Sequence, residues 1–275
     1  MNLVLHHGFF GFAALGEVVY FNGVRDHLMG KFPDLRILVT EVAPDGKIKE
    51  RGTQLGQQLR EATRPGGFFG PDSPVHIIAH SMGGLDSRFL LSPDNPENMA
   101  DKVSSLTTIS TPHKGSPVAD VLVEIGDVLS PNNEQKVFVQ RLQAALEQAG
   151  IHVGGLRNLT TEGVRQFNEE FRDDPRTKKF SVAGKGRGVK LGGLPAVDTC
   201  LALGLPHRII RERTGGENDG LVSVDSATWG EGPELWRADH ADEIGHNLDL
   251  GPKARPLLFK YLTKYEALVE RLRQL

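Results

Sequence analysis

The sequence predicts an α/β fold built on one mostly parallel sheet. Short apolar segments rich in β-branched residues alternate with amphipathic helical patterns along the 275 residues. The predicted strands are apolar along their whole length, which is typical of parallel sheets that helices cover on both faces. The length fits one large domain with a substantial core.

Five segments are predicted as buried strands, at residues 3–5, 35–42, 75–79, 103–109 and 180–183, and a weaker sixth strand is predicted near 221–224. Helical spacing of apolar residues predicts helices at 54–63, 84–91, 134–149, 161–171 and 257–272. Neither an internal repeat nor a clear linker divides the sequence. We therefore expect a single domain over residues 1–275.

About 70 residues separate the strand that ends at residue 109 from the strand that begins at 180, which is more than one crossover connection requires. We therefore expect a helical insertion outside the sheet, at about residues 116–175. Apolar residues recur at helical spacing in its segments 121–129 and 137–146. Two interpretations stay open, a cap that only packs against the domain and a mobile lid over the active site.

Composition excludes several classes of function. The net charge is −3 and the basic residues are scattered, whereas nucleic-acid binding needs a clustered basic face. The single cysteine, Cys200, excludes an intramolecular disulfide. No apolar segment approaches the length of a membrane span, and the N-terminus lacks the pattern of an export signal. We expect a soluble protein that is cytoplasmic, exported by another route, or the mature form of an exported protein.

Residues 75–84, with the sequence VHIIAHSMGG, predict a strand, a sharp turn and the start of a helix. Such a turn forces Ser81 into a strained backbone conformation that exposes its hydroxyl above the sheet. Small residues are needed two positions to either side, because the strand and the helix cross closely there. Gly83 meets this need, and Ala79 stands where glycine is more usual. Ser81 is the candidate nucleophile, and the alternative is a glycine-rich turn without catalysis.

A serine nucleophile needs two backbone N–H donors for the negative oxygen of the tetrahedral intermediate. The amide of Met82 is one candidate, and the second is Phe9, which follows a His-Gly pair after the first strand. We expect the ring of Phe9 to line an acyl pocket with Phe10 and Phe12, and His80 to contact the substrate. The alternative for this loop is an ordinary strand-exit turn with buried phenylalanines.

The histidines that follow Ser81 in the chain are His113, His152, His207, His240 and His246. In a fold of this kind the acid and then the histidine follow the nucleophile. His240 has a suitable acid before it, because Asp219 lies 21 positions earlier in a segment that is typical of a turn at the end of a late strand. The candidate triad is therefore Ser81, Asp219 and His240. The alternatives that stay open are His246 as the base and Asp225, Asp239 or Asp242 as the acid.

Together these motifs resemble the bacterial true lipases, the triacylglycerol lipase family of the α/β-hydrolase fold. The resemblance covers most of the chain and rests on HGF at 7–9, AHSMGG at 79–84, STPHKGS at 110–116, NDGLVS at 218–223 and DHADE at 239–243. The segment LTTEG at 159–163 is also similar to the part that follows the lid in these lipases. The resemblance implies a central sheet flanked by helices, a helical lid, and hydrolysis of lipid esters at a lipid–water interface.

The resemblance also implies a structural calcium ion near the catalytic histidine, with Asp198 and Asp242 among its ligands. This sequence departs from the family at a further ligand position, where His246 stands in place of an amide oxygen. Imidazole is a poor ligand for calcium, which prefers oxygen. Calcium is thus an expectation to be tested, and the chemistry itself requires no cofactor. We expect no zinc, because the insertion that carries zinc in thermophilic relatives is short here.

Two further functions are compatible with these residues. An acyltransferase or a thioesterase would keep the fold and the triad and change the acceptor or the leaving group. A noncatalytic binding module on the same scaffold is the third hypothesis. Such modules usually lose the nucleophile or the base, whereas every catalytic position here holds a competent residue.

Overall fold

The computed structural model describes residues 1–9, 19–127, 153–186, 188–189, 197–198, 204–246 and 259–275. Its strands are β1 (Asn2–His6), β2 (Arg36–Val39), β3 (Val75–His80), β4 (Val103–Ile109), β5 (Lys178–Gly184), β6 (Gly188–Val189), β7 (Val197–Asp198) and β8 (Glu231–Trp236). Six of them form one sheet in the order β2-β1-β3-β4-β5-β8, and all of its neighbouring strands are parallel. The short strands β6 and β7 pair with each other, antiparallel. The predicted α/β class is confirmed.

The helices are α1 (Val24–Lys31), α2 (Ile48–Thr63), α3 (Gly83–Leu91), α4 (Pro117–Asp127), α5 (Thr161–Glu170), α6 (Gly204–Thr214), α7 (Val224–Ala227) and α8 (Tyr261–Leu272), with two 3₁₀ helices, η1 (Val153–Leu159) and η2 (Asp242–Ile244). Alternate residues of each strand face opposite sides of the sheet. On one side Leu3 and Leu5 share a core with α1 and α8. On the other side Val4 and Ile77 share a core with α2 and α3. Both faces of the sheet are therefore covered.

The position of β1 in the sheet creates the place for a site. β1 lies between β2 and β3, so the chain moves outward from β1 in opposite directions along the sheet. In open α/β sheets, ligands bind at the carboxyl ends of the strands where this direction reverses. Phe9 follows β1 at this edge and Ser81 follows β3, its neighbour in the sheet.

The predicted strand near residues 221–224 is wrong. Residues 218 and 223 form only an isolated bridge, and Val224 begins α7. The backbone N–H groups of Leu221 and Val222 bond to the side chain of Asp219, and the Ser223 hydroxyl caps α7. The sixth strand of the sheet is β8 instead.

The part of the insertion that the structure describes lies between β4 and β5 and outside the sheet. It consists of α4, η1 and α5, which pack together around one apolar cluster that contains Ala119, Leu156 and Phe167. The predicted helix at 134–149 lies outside the described residues, as do Phe10, Phe12, His152 and Cys200. Within the described ranges, the helices are all too short or too polar to cross a bilayer.

Candidate active site

The turn after β3 holds Ser81 in the strained conformation that the sequence predicts. Its φ angle is +55°, in the left-handed region that side chains rarely adopt. The Ser81 amide donates to the carbonyl of Ile109 at 2.8 Å, and the Thr111 hydroxyl donates to the Ser81 carbonyl at 2.7 Å. The following helix passes so close to β1 that a Cβ on Gly83 would lie 2.7 Å from the carbonyl oxygen of His7. The strand, the turn and the helix thus fix Ser81 at the carboxyl end of β3.

The structure brings His240 and Asp219 together. Nδ1 of His240 lies 2.7 Å from Oδ2 of Asp219, and the two residues are also joined by a backbone hydrogen bond of 3.0 Å. The other carboxylate oxygen of Asp219 accepts from the amides of Leu221 and Val222 at 2.8 and 2.7 Å. Burial opposes ionisation of Asp219, but the charge and hydrogen bond of His240 and the two amides outweigh it, so the pKa is lowered. Asp219 is therefore an ionised partner for the His240 ring.

The candidate base His240 lies beside the turn that holds Ser81. The ring of His80, the residue before Ser81, has its centroid 4.5 Å from that of His240. His240 and Ser81 are both largely buried, with 8% and 9% of their surface exposed. Ser81 follows β3, His240 follows β8, and Asp219 lies on the loop between α6 and α7, beside the end of β5, so the three candidate residues lie at one end of the sheet.

The alternative bases and acids have other partners. Nε2 of His246 donates to the carbonyls of Val19 and Tyr20 at 2.9 and 3.0 Å. Asp239 pairs with His207 at 3.2 Å, and Asp225 forms an exposed ion pair with Lys114. His113 is buried against Trp229, with its Nε2 atom 3.0 Å from the hydroxyl of Thr108. These contacts favour Asp219 and His240 over the alternatives.

The loop after β1 is held by hydrogen bonds to both the backbone and the side chain of His7. The guanidinium of Arg51 donates to the His7 carbonyl at 2.7 Å, and the amide of Val42 donates to Nε2 of His7 at 3.1 Å. Nδ1 of His7 therefore carries the proton and donates to the Gly8 carbonyl at 2.9 Å. Burial, followed by the Arg51 charge, lowers the pKa of His7 to about 3, so this ring stays neutral. Phe9 follows Gly8 in this loop, and its side chain is buried.

The surroundings of His80 do not favour the expected substrate contact, which stays a prediction. The His80 side chain is buried, and both of its ring nitrogens have partners. Its Nδ1 lies 2.7 Å from the hydroxyl of Tyr20, and its Nε2 lies 3.1 Å from Oε2 of Glu243. His80 is the last residue of β3, and an inner strand of a parallel sheet is buried on both faces.

A buried polar network behind His240 was missed by the sequence analysis. It runs from Tyr20 through His80 to Glu243, whose Oε1 accepts from the Ser110 hydroxyl at 2.7 Å. Ser110 follows β4 and is the second non-glycine residue with positive φ, +45°, in the described parts of the chain. The Gly184 amide donates to its hydroxyl at 3.0 Å. Glu243 lies three residues after His240, but charged residues are so seldom fully buried that its position gave no signal.

Burial favours the neutral forms of Glu243 and His80 in this network. Burial and then the charge of Asp219 raise the pKa of Glu243 well above its ordinary value. Burial and then the proximity of His240 lower the pKa of His80 well below its ordinary value. Two carboxyl groups therefore lie near His240 in different environments, since that of Asp219 favours the ionised form and that of Glu243 favours the protonated form.

The residues expected to bind calcium fit it poorly where the structure describes them. Asp242 begins η2, but the side chain of His246, at the next ligand position, directs an N–H group at two carbonyls and contains no oxygen. The backbone of Asp198 lies in β7, and its side chain is outside the described residues. Among the side chains that the structure describes, His80, His240 and Glu243 lie close enough together to bind one metal ion. Two of these three ligands would be imidazoles, which are poor ligands for calcium.

Comparison with known proteins agrees with this architecture. Residues 68–148 match the model of a PGAP1-like alpha/beta domain. The structure resembles the mature form of the lipase BlEst2 of Bacillus licheniformis, with a TM-score of 0.63, 22% identity, and coverage of 94% of this chain and 91% of that one. It also resembles the lipase of Staphylococcus hyicus, with a TM-score of 0.64, 20% identity, and coverage of 99% and 95%. These likenesses show the α/β-hydrolase fold.

Sequence relatives carry the comparison further. Triacylglycerol lipase 2 of Saccharomyces cerevisiae is 33% identical over 230 residues, which are 83% of this chain, and the match spans 63% of the yeast protein. The triacylglycerol lipase of Vibrio cholerae is 30% identical over 265 residues, with 88% of this chain and 78% of that protein covered. The chain therefore belongs to the triacylglycerol lipase family of α/β-hydrolases, whose members are ester hydrolases, as its sequence motifs predict.

Proposed function

We propose that this chain hydrolyses the carboxylic esters of acylglycerols through a triad of Ser81, His240 and Asp219 and an acyl-enzyme intermediate. The observation that carries the proposal is the pair formed by the strained Ser81 turn and the His240–Asp219 hydrogen bond of 2.7 Å beside it. The names of the relatives support acylglycerols as the substrate class.

The first half of the reaction forms the acyl-enzyme. The Ser81 hydroxyl oxygen attacks the ester carbonyl carbon while His240 takes the hydroxyl proton. The carbonyl oxygen becomes an oxyanion, which accepts hydrogen bonds from the amides of Phe9 and Met82. The ionised Asp219 holds the proton on Nδ1 of His240 and stabilises the imidazolium. The intermediate then expels the alcohol, which receives the proton from His240, and the acyl group stays on Ser81.

The second half releases the acid. A water molecule attacks the acyl carbon while His240 takes one of its protons, and the same two amides bind the new oxyanion. The intermediate then breaks its bond to Ser81, whose oxygen recovers the proton from His240. The fatty acid leaves, and the enzyme returns to its starting protonation state.

Labelling with a fluorophosphonate tests the proposal. The reagent should bind covalently to the wild-type protein and fail to label Ser81→Ala, whose thermal unfolding should stay close to that of the wild type. Wild-type protein should also release fatty acid from tributyrin. Equal labelling of the two proteins would refute Ser81 as the nucleophile. Faster turnover of matched thioesters, or acyl transfer to an added alcohol in place of hydrolysis, would assign a thioesterase or an acyltransferase.

A further inference from the structure

The side chains of the two proposed oxyanion donors lie together in the core. Phe9 and Met82 share one buried apolar cluster. Leu85 of α3 and Leu156 of η1 belong to the same cluster. The cluster therefore joins the loop after β1, the start of the nucleophile helix and the insertion. The residues that surround the Phe9 ring thus pack against the residue whose amide is the proposed oxyanion donor.

The insertion approaches that ring closely. A Cβ atom placed on Gly155 of η1 would lie 2.6 Å from Cε2 of Phe9. It would also lie 2.5 Å from the carbonyl oxygen of Gly46 and 2.8 Å from that of Asp45. Real Cβ atoms essentially never come this close to other atoms. The neighbouring Gly154 is exposed and has nothing within 4 Å of its Cβ position. Only one glycine of this pair is therefore required by packing.

Hydrogen bonds also connect the loop after β1 with η1. The carbonyl of Ala43 and the carbonyl of His7 both accept from the guanidinium of Arg51, each at 2.7 Å. Arg51 is itself held by the buried carboxylate of Asp86 at 2.8 Å. From the same stretch of chain, the amide of Ile48 donates to the Asn158 side chain of η1 at 3.1 Å. The segment 43–48 thus binds the insertion on one side and, through Arg51, the loop of the oxyanion donor on the other.

We infer that Gly155 is a positioning residue that sets the oxyanion donor Phe9, by allowing the backbone of η1 to close over the Phe9 ring. This inference rests on the proposed function, because it assigns the Phe9 amide to the oxyanion. It also means that η1 stays in place during catalysis, because its removal would uncover one side of Phe9. The insertion supplies part of the catalytic geometry through this contact.

The substitution Gly155→Ala tests the inference, with Gly154→Ala as the matched control. Turnover of a soluble short-chain p-nitrophenyl ester and inhibition by an alkylboronic acid are measured, because the boronic acid forms a tetrahedral adduct that uses the same donors. Loss of a whole donor costs about 100- to 1000-fold in kcat, so a displaced donor should lower kcat roughly 10- to 100-fold. KM should change less than about threefold, and the inhibition constant should rise by the same factor as kcat falls. Gly154→Ala should match the wild type.

Three results keep the test decisive. If folded Gly155→Ala has the kcat and inhibition constant of Gly154→Ala, the inference is wrong while the proposed function stands. If wild-type protein does not react with a fluorophosphonate, the proposed function itself fails. If Gly155→Ala does not fold, Asn158→Ala replaces it, since this change removes the bond to Ile48 and adds no atoms. It should lower kcat and weaken boronic acid inhibition in parallel, and unchanged values would overturn the inference.

Discussion

Glu243 offers a sharp test of the electrostatics behind the base. Glu243→Gln keeps the shape of a protonated carboxyl group, with an oxygen for the Ser110 hydroxyl and an N–H donor for His80. We expect kcat to stay within about threefold of the wild type, because Asp219 alone orients His240. Glu243→Ala should destabilise the protein, because the Ser110 hydroxyl and the His80 ring each lose a hydrogen-bond partner beside a new buried cavity. Two lost partners at about 1–3 kcal/mol each, with the cavity added, predict a loss of about 3–5 kcal/mol in unfolding free energy.

The dependence of stability on pH gives the second part of this test. The pKa of Glu243 is raised in the folded state, so the folded protein holds a proton that the unfolded chain releases. Its contribution to stability is complete below the ordinary glutamate pKa and is lost as the pH rises through the folded value. Glutamine has no such proton. As the pH rises from 6 to 8, the unfolding free energy of the wild type should therefore fall relative to that of Glu243→Gln.

Denaturant unfolding of the three proteins at pH 6, 7 and 8 measures these differences. His80, Asp219, Asp239 and Asp242 also lie near Glu243, but they are present in every variant, so their own contributions largely cancel in the comparison. Parallel pH dependence in the wild type and Glu243→Gln would show that Glu243 is ionised in the folded protein. A loss of kcat in Glu243→Gln as large as that of Asp219→Asn would show that Glu243 serves as the acid.

Three further predictions follow from the site. Ser81→Ala and His240→Ala should each lower kcat by several orders of magnitude, with no further loss in the double variant, because the two groups act as one unit; activity that survives in His240→Ala and disappears in His246→Ala would assign the base to His246. His246→Ala removes the hydrogen bond to two carbonyls and should lower the melting temperature by about 2–4 °C. A chelator should leave the melting temperature of the wild type unchanged, and a fall would establish a stabilising metal ion. If the insertion acts as a lid at a lipid–water interface, hydrolysis of tributyrin should rise sharply once its concentration passes the solubility limit; a smooth saturation curve would make this chain a general esterase.

The central sheet could be predicted because its inner strands are buried on both faces. Strands such as β3 and β4 have buried residues along nearly their whole length, which an apolar segment in the sequence reveals. β8 has no such signal, because it is an edge strand and most of its residues are exposed. Its sequence, EGPELW, also contains a proline, which central strands exclude and edge strands tolerate. The segment at 221–224 looked more like a strand, but its amides serve Asp219 instead.

The candidate triad could be predicted from the order of its residues, and its surroundings could not. Ser81, Asp219 and His240 stand in the order that the fold requires, in turns with recognisable composition. The roles of Tyr20, Ser110 and Glu243 depend on which loops meet in space. The close approach of Gly155 to Phe9 likewise joins residues far apart in the chain. Glycine is common in loops for turn geometry alone, so its presence at 155 did not indicate a packing contact.

The states of Asp219 and Glu243 follow from the donors that each carboxyl group receives. Asp219 accepts from two backbone amides and from His240, and these donors favour its charged form. Glu243 accepts a hydrogen bond from the Ser110 hydroxyl. It lies in a buried region, where the negative charge of Asp219 raises its pKa further. The environment of Glu243 favours its neutral form, which leaves Asp219 as the carboxylate that would stabilise the imidazolium of the proposed reaction.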